Sequence, residues 1–234
     1  MELTFESFQM NLEEVISEIN SACCACNRRP DDVTLMAVTK THLVQAVDFA
    51  ERAGLTCVGE NRVQEAAAKK SECSVSIRWE LIGHLQGNKA RQAVQTFDRI
   101  QSVDSLKLIQ QLDRLCHELS RPTLPILLQV NAGNDPAKFG MDMDDVPPLL
   151  AEALKSKYLQ VDGFMTIAPL SDDPKVAEFT FENLSNLRDV MEQRFDHKFP
   201  ELSMGMSGDL NLAIRHGATM VRVGTALFGH RDKI

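Results

Sequence analysis

Eight short apolar segments recur along the chain, and each is followed by a stretch with helical periodicity or by the first residues of one. A regular alternation of strand and helix favours a parallel sheet, and eight repeats are typical of a (β/α)8 barrel. An open doubly wound sheet is the main alternative. The predicted strands cover residues 33–39, 56–58, 78–82, 99–103, 123–130, 159–165, 201–204 and 220–223.

A further helix is predicted before the first strand. Apolar residues recur at helical spacing over residues 3–27, and Pro30 follows. This helix can fill the place of the short segment after the eighth strand. With 234 residues and no visible linker, the chain is expected to form one domain over residues 1–234. The predicted fold class is therefore α/β, a single (β/α)8 TIM barrel with an extra N-terminal helix.

The charge pattern argues against several classes of partner. The net charge is −8 and no run of Lys or Arg is present, which disfavours nucleic acid and membrane surfaces. No signal peptide or bilayer-spanning run is visible. The six cysteines therefore indicate a cytoplasmic protein with reduced thiols. Cys23, Cys24 and Cys26 lie in a helical pattern without a nearby histidine, so we interpret them as packing residues and predict no metal site.

The eighth predicted strand contains the strongest chemical signal. Arg222 lies between Val221 and Val223, and Gly224 and Thr225 follow at once. A buried arginine needs an anion or a strong acceptor. A Gly-Thr turn at the start of a helix offers backbone N–H groups and a hydroxyl to an anion. Together these residues suggest a phosphorylated ligand that also carries a ring nitrogen or another acceptor.

Lys40 ends the first predicted strand. Alternation places it on the same face as Met36 and Val38. If that face lines the barrel, desolvation lowers the pKa of the amine, and the neutral amine can form a Schiff base with a carbonyl. The alternative is a lysine that extends to the rim and stays solvated.

The loops after strands seven and eight are the usual phosphate site of this fold. Here they contain Met204, Ser207, Gly224 and Thr225. Ordinary capped turns between strand and helix are the alternative. Two small-residue turns at these positions, together with a Schiff-base lysine, fit pyridoxal 5′-phosphate (PLP).

In this hypothesis the PLP aldehyde bonds Lys40 and the phosphate lies on Ser207, Gly224 and Thr225. Arg222 faces the pyridine nitrogen. Because arginine can only donate hydrogen bonds, the nitrogen stays neutral and the ring stabilises a carbanion less well.

Seven segments, in order along nearly the whole chain, resemble the pyridoxal phosphate homeostasis protein family, also called the YggS or proline synthetase co-transcribed family. They are AVTKT at 37–41, GENR at 59–62, LIGHLQGNK at 81–89, KFG at 138–140, GFMTIAP at 163–169, SMGMSGD at 203–209 and VRVGTALFG at 221–229. The resemblance implies a barrel like the N-terminal domain of alanine racemase, with PLP held as a Schiff base on Lys40. It also implies a role in vitamin B6 homeostasis without an established catalytic reaction, a monomer, and PLP-dependent client enzymes as candidate partners.

Two other functions compete with this one. The first is a PLP-dependent amino-acid racemase-like enzyme with weak activity. Racemisation by two bases needs a second acid or base opposite Lys40, and the only tyrosine, Tyr158, is predicted at the opposite end of the barrel. The second is a phosphosugar enzyme without an aldehyde cofactor.

Four further residues are candidates for the site. Asn61 either contacts the ring or caps a helix, and His84 is either a ring neighbour or a packing residue. Lys89 and Lys138 either add positive potential near the phosphate or are solvated surface lysines. We therefore expect Asn61 in the cofactor site and His84, Lys89 and Lys138 at its rim.

Overall fold

The computed structural model describes residues 3–73 and 75–229. Eight parallel strands close into a barrel, in which β8 pairs with β1. The predicted barrel is confirmed and the open sheet is excluded. Residues 1–2, 74 and 230–234 of the expected 1–234 domain lie outside the described residues. The strands are β1 Thr34–Val38, β2 Cys57–Glu60, β3 Arg78–Leu81, β4 Arg99–Val103, β5 Leu124–Gln129, β6 Leu159–Met165, β7 Glu201–Ser203 and β8 Met220–Val223.

The helices surround the barrel. Among residues 3–73 and 75–229, none of them combines the length and the apolar character that crossing a membrane requires. The α-helices are α1 Phe5–Ala25, α2 Gln45–Arg52, α3 Val63–Glu72, α4 Ala90–Thr96, α5 Leu106–Glu118, α6 Val146–Ala153, α7 Pro174–Phe195, α8 Leu210–Arg215 and α9 Thr225–Phe228. Short 3-10 helices cover Pro30–Asp32, Gly87–Lys89 and Met143–Asp145.

Helix α1 packs beside the last two helices. It begins at a capping box in which Thr4 and Ser7 exchange hydrogen bonds. Its apolar side is buried against α8 and α9, and the ring centroids of Phe8 and Phe228 lie 5.3 Å apart. Because α9 has only four residues, α1 covers the barrel where the last helix is short. The buried residues of this side are Phe8, Leu12, Val15, Ile19, Ala22 and Cys23.

The barrel interior is partly apolar and partly polar. Met36 and Val38 of β1 belong to a small apolar cluster with Cys57, Ile82 and Met220, whereas their neighbour Ala37 belongs to the larger core under the helices. Met36 and Val38 therefore face the barrel interior, which is the condition that the Schiff-base hypothesis for Lys40 requires. Several buried polar side chains fill the rest of the barrel, and these are Glu80, Arg99, Gln101, Ser203 and Arg222.

Strand β2 is longer than predicted. It continues through Gly59 and Glu60, whereas the predicted strand ends at residue 58. A Cβ atom at position 59 would lie 2.7 Å from Sδ of Met36, which is too close for a side chain. Glycine at this position therefore leaves room for Met36 inside the barrel. The carboxylate of Glu60 is tolerated there because it accepts hydrogen bonds from Thr39 and Lys69. Other strand ends differ from the prediction by one residue at most.

Candidate functional site

A cavity of about 420 Å³ opens at the carboxyl ends of the strands, where (β/α)8 barrels place their active sites. Its wall combines apolar side chains with an amine, a guanidinium and two hydroxyls, which suits a partly aromatic, charged ligand. The lining residues are Val38, Lys40, Asn61, Ile82, Gly83, His84, Gln129, Phe139, Ile167, Met206, Ser207, Gly208, Arg222, Gly224 and Thr225.

Most of the residues singled out from the sequence meet in this cavity. Its lining includes seven of the ten, namely Lys40, Asn61, His84, Ser207, Arg222, Gly224 and Thr225.

The other three residues lie elsewhere. Met204 is buried in the larger core, its N–H donates to the carbonyl of Met220, and Met206 takes the place at the cavity. Lys89 lines a smaller neighbouring cavity of about 300 Å³. Lys138 is outside the lining, although the adjacent Phe139 belongs to it.

The backbone next to Lys40 is held by Lys69 of α3. Nζ of Lys69 donates to O of Thr39 at 2.7 Å, to Oε1 of Glu60 at 2.7 Å and to Oε1 of Glu65 at 2.8 Å. The hydroxyl of Thr39 also donates to Oε1 of Glu60, at 2.7 Å. Burial raises the pKa of Glu60, while the hydrogen bonds from Lys69 and Thr39 oppose that rise. Charged groups therefore surround the end of β1 just before Lys40.

Arg222 lies at the cavity floor and is 3% exposed. Its Nη1 donates to Oγ of Ser203 at 2.7 Å and its Nη2 to the carbonyl of Thr166 at 2.8 Å. Burial lowers the pKa of Arg222 to about 10, and the negative charge of Asp209 opposes this effect. The side chain is therefore cationic at neutral pH, and its direction is set by two fixed acceptors.

A chain of hydrogen bonds connects Arg222 to the opposite part of the barrel interior. Oγ of Ser203 donates to Oε1 of Gln101 at 2.6 Å, and Nε2 of Gln101 donates to Oε2 of Glu80 at 2.7 Å. Glu80 also accepts two bonds from Arg99, at 2.7 and 3.1 Å. Burial disfavours the charged form of Arg99, but the nearby carboxylates outweigh it and raise the pKa of this guanidinium. This network was not predicted, although Arg99 and Gln101 within the predicted strand at 99–103 were a visible signal in the sequence.

The loops after β7 and β8 meet at one side of the cavity. Oγ of Ser207 accepts from the N–H of Ala226 at 3.4 Å, which joins the two loops. The N–H of Met206 donates to Oδ1 of Asp209 at 2.6 Å and shapes the first loop. Gly224 passes close to β1, since a Cβ there would lie 3.3 Å from the carbonyl oxygen of Val38. The loops thus bring small residues and hydroxyls to one wall.

The opposite rim is formed by an aromatic pair. The rings of His84 and Phe139 are stacked, with centroids 4.1 Å apart and planes 10° apart. Nδ1 of His84 lies 3.4 Å from Oδ2 of Asp104, and burial raises the pKa of Asp104 while His84 opposes that rise. This pairing gives His84 a fixed place at the entrance. Phe139 lies in the loop that follows β5, within the KFG segment at 138–140 noted in the sequence.

The residues of the cavity fit a phosphorylated pyridine aldehyde. The amine matches an aldehyde and the guanidinium matches a ring nitrogen. The wall of hydroxyls and small residues matches a phosphate. The side chains of Val38, Ile82 and Ile167 supply apolar surface for a ring.

Comparisons with known proteins agree with this geometry. The family model described as alanine racemase, N-terminal domain, matches residues 17–232. A pyridoxal phosphate homeostasis protein from Vibrio alginolyticus is 36% identical to this chain, and the match covers 97% of this chain and 98% of that protein. The structure of PipY from Synechococcus elongatus with PLP bound is 40% identical, with a TM-score of 0.80, and the match covers 90% of this chain and 100% of that chain.

An alanine racemase from Clostridium difficile shares the fold. Its TM-score is 0.78 at 15% identity, and the match covers 97% of this chain but 58% of the racemase. Three relatives that match over 93% to 98% of their own length are named as homeostasis proteins and not as enzymes. By these matches the chain belongs to the alanine racemase N-terminal domain family and to the pyridoxal phosphate homeostasis protein family.

Proposed function

We propose that this chain binds PLP through a covalent link to Lys40 and takes part in intracellular vitamin B6 homeostasis without a dedicated catalytic reaction. The observation that carries the proposal is the convergence in one cavity of the Lys40 side chain, the two small-residue loops and the Arg222 guanidinium. PipY, 40% identical to this chain, is known with PLP bound, and several relatives are named pyridoxal phosphate homeostasis proteins.

Each group of the cavity has one task in this proposal. The Lys40 amine condenses with the aldehyde and one water molecule leaves. Ser207, Gly224 and Thr225 hold the phosphate by hydroxyl and backbone groups. Arg222 uses two of its five donors on Ser203 and Thr166, so donors are left to point at the ring nitrogen.

The remaining candidate residues act indirectly. Asn61 and His84 line the wall of the cavity and limit how the ring can tilt. Lys89 and Lys138 lie outside the lining and add positive potential at the entrance. Met204 supports the loop after β7 from the core. Bound PLP would supply an electron sink, which a neutral ring nitrogen weakens.

A weak racemase-like activity is the second candidate, because the fold is shared with an alanine racemase. Tyr158 is the only tyrosine of the chain, and it directly precedes β6 at the amino end of that strand. Its N–H donates to Asp113, far from the carboxyl ends of the strands where the cavity lies. Tyr158 is therefore badly placed to act as a second acid or base opposite Lys40.

We propose a cytoplasmic, monomeric, single-domain protein that passes PLP to client enzymes. The six cysteines, all within the described ranges, are free thiols, which supports a reducing compartment. The entrance bordered by His84 and Phe139 would allow PLP to leave.

The test is an absorption spectrum of the purified protein before and after borohydride reduction, followed by peptide mass mapping. We expect a yellow band that disappears on reduction and a phosphopyridoxyl group on Lys40. Lys40→Ala should lose both signals. Lys155→Ala, a change at a lysine whose side chain is 70% exposed, should keep them.

A colourless protein that gains no adduct with added PLP would overturn the proposal and favour a phosphosugar enzyme. An adduct on a lysine other than Lys40 would overturn the assignment of the anchor. Loss of the α-hydrogen of added amino acids at enzymatic rates would favour the racemase-like reading.

A further inference from the structure

The two peptide groups that flank the Cα atom of Lys40 are both held by side chains of α3. On one side, the carbonyl of Thr39 accepts from Nζ of Lys69 at 2.7 Å. On the other side, the N–H of Thr41 donates to Oε1 of Glu65. Lys69 and Glu65 are themselves joined at 2.8 Å. One ion pair on α3 therefore holds the backbone before and after Lys40, and we call Lys69 and Glu65 the α3 clamp.

The backbone held by the α3 clamp is unusual. Thr41 has a φ of +64°, a left-handed conformation that costs a β-branched residue free energy. Such a conformation persists only where its surroundings impose it. Here the N–H of Thr41 is bound by Glu65, and the N–H of His42 donates back to the carbonyl of Thr39 at 3.1 Å. The clamp thus maintains a sharp turn directly after Lys40.

Burying the charged groups of the α3 clamp costs desolvation free energy, so a gain in stability does not explain why they are there. The side chain of Lys69 is 9% exposed and that of its second partner, Glu60, is fully buried. Buried ion pairs add little stability compared with apolar residues of the same volume. What these charges add is direction, because all three N–H groups of Lys69 point to acceptors around the end of β1.

We propose that Lys69 and Glu65 are positioning residues for Lys40, which fix the direction of its Cα–Cβ bond and so aim the amine at the cofactor aldehyde. The inference rests on the proposed function, since it assumes that Lys40 is the anchor. Neither Lys69 nor Glu65 belongs to the cavity lining, so both act through the backbone of residues 39–41.

The experiment compares two ligands on variants of Glu65 and on one control variant of the same helix. PLP has the aldehyde that reacts with Lys40, whereas pyridoxamine 5′-phosphate has the same ring and phosphate but no aldehyde. Glu65→Ala removes the acceptor of the Thr41 N–H and leaves a good helix former in place. Glu65→Gln keeps an oxygen that can accept from Thr41, and Glu72→Ala is a matched change at an exposed residue of the same helix.

Each variant is prepared as the full chain without cofactor, and the rate of adduct formation with PLP and the affinities for both ligands are measured. We expect Glu65→Ala to slow adduct formation about tenfold to hundredfold, as small misplacements of reacting groups do. Its affinity for pyridoxamine 5′-phosphate should stay within about twofold of wild type, because phosphate and ring contacts are untouched. Glu65→Gln and Glu72→Ala should behave like wild type with both ligands.

Other outcomes overturn the inference. If Glu65→Ala loses affinity equally for PLP and for pyridoxamine 5′-phosphate, the clamp only supports the fold. If its rate of adduct formation is unchanged, the clamp does not position Lys40. If Glu65→Ala does not fold, the double variant Lys69→Met with Glu60→Gln takes its place. It removes the donor to the Thr39 carbonyl without leaving an unpaired buried charge. The same comparison of the two ligands then tests whether the clamp positions Lys40. Failure of the proposed function looks different, since wild type itself would then form no adduct at Lys40.

Discussion

The hydrogen-bond chain below Arg222 makes Ser203 a sensitive position. Its hydroxyl accepts from the guanidinium of Arg222 and donates to Gln101, and neither partner is exposed to solvent. A hydrogen bond to a charged group is worth about 1.5–3 kcal/mol and a neutral one about 0.5–1.5 kcal/mol. We therefore expect Ser203→Ala to lower the free energy of unfolding by about 2–4.5 kcal/mol, the sum of the two bonds.

Urea unfolding followed by tryptophan fluorescence measures this loss. Trp79 is the only tryptophan and is 1% exposed, so its emission should shift when the barrel opens. The denaturant slope should be unchanged in the variant, because the surface exposed on unfolding is the same.

Ser102→Ala is the matched control. The Oγ atom of Ser102 is also buried, but it makes no hydrogen bond to any residue in the described ranges. Removing it should leave the free energy of unfolding unchanged or raise it by about 1 kcal/mol. If the two serine variants have the same stability, the hydrogen-bond chain does not stabilise the barrel and the reasoning fails.

Three further predictions concern other contacts of the site and the core. Gly83→Ala should reduce both the melting temperature and the affinity for PLP, because the new Cβ would lie 2.2 Å from the carbonyl oxygen of Asn61; thermal unfolding and PLP titration test this, and a wild-type affinity would contradict it. Arg99→Met should cost about 3–5 kcal/mol in urea unfolding, since it leaves the buried carboxylate of Glu80 without its main partner; a loss below about 1 kcal/mol would contradict this. Burial acts to raise the pKa of Glu65, but its hydrogen bonds outweigh this effect and lower the pKa below its usual 4.5. Glu65 therefore stabilises the fold above pH 4.5, and this contribution is lost as the pH falls through the lowered pKa. The difference in unfolding free energy between wild type and Glu65→Gln should therefore shrink towards pH 3, and a difference that grows on acidification would contradict the assignment.

The barrel could be predicted because its signals are local and repeated. Short apolar runs and helical periodicity depend on neighbouring residues, so strand positions were nearly right. Strand β2 was the exception, because Gly59 and Glu60 have low strand propensity. The contacts that keep these two residues in the strand come from distant parts of the chain. Gly59 makes room for Met36, and Glu60 is paired with a lysine of the following helix.

The cavity could be predicted in part for the same reason. Residues that lie within two positions of the end of a strand, such as Lys40 and Thr225, reach the carboxyl face by topology alone. Met204 and Met206 could not be told apart in this way, because the course of a loop decides which of them faces the cavity. The α3 clamp was also missed, since its two residues look like an ordinary pair of charges on an exposed helix.

The pairing of β1 with β8 has a consequence for how the protein is made. β1 lies early in the chain and β8 late, so a growing polypeptide leaves the ribosome with an open sheet and unpaired strand edges until nearly all of it has been synthesised. Lys40 follows one of these two strands and Arg222 belongs to the other. A nascent or truncated chain would have the amine without the opposing half of its cavity, so cofactor retention should report that synthesis and ring closure are complete.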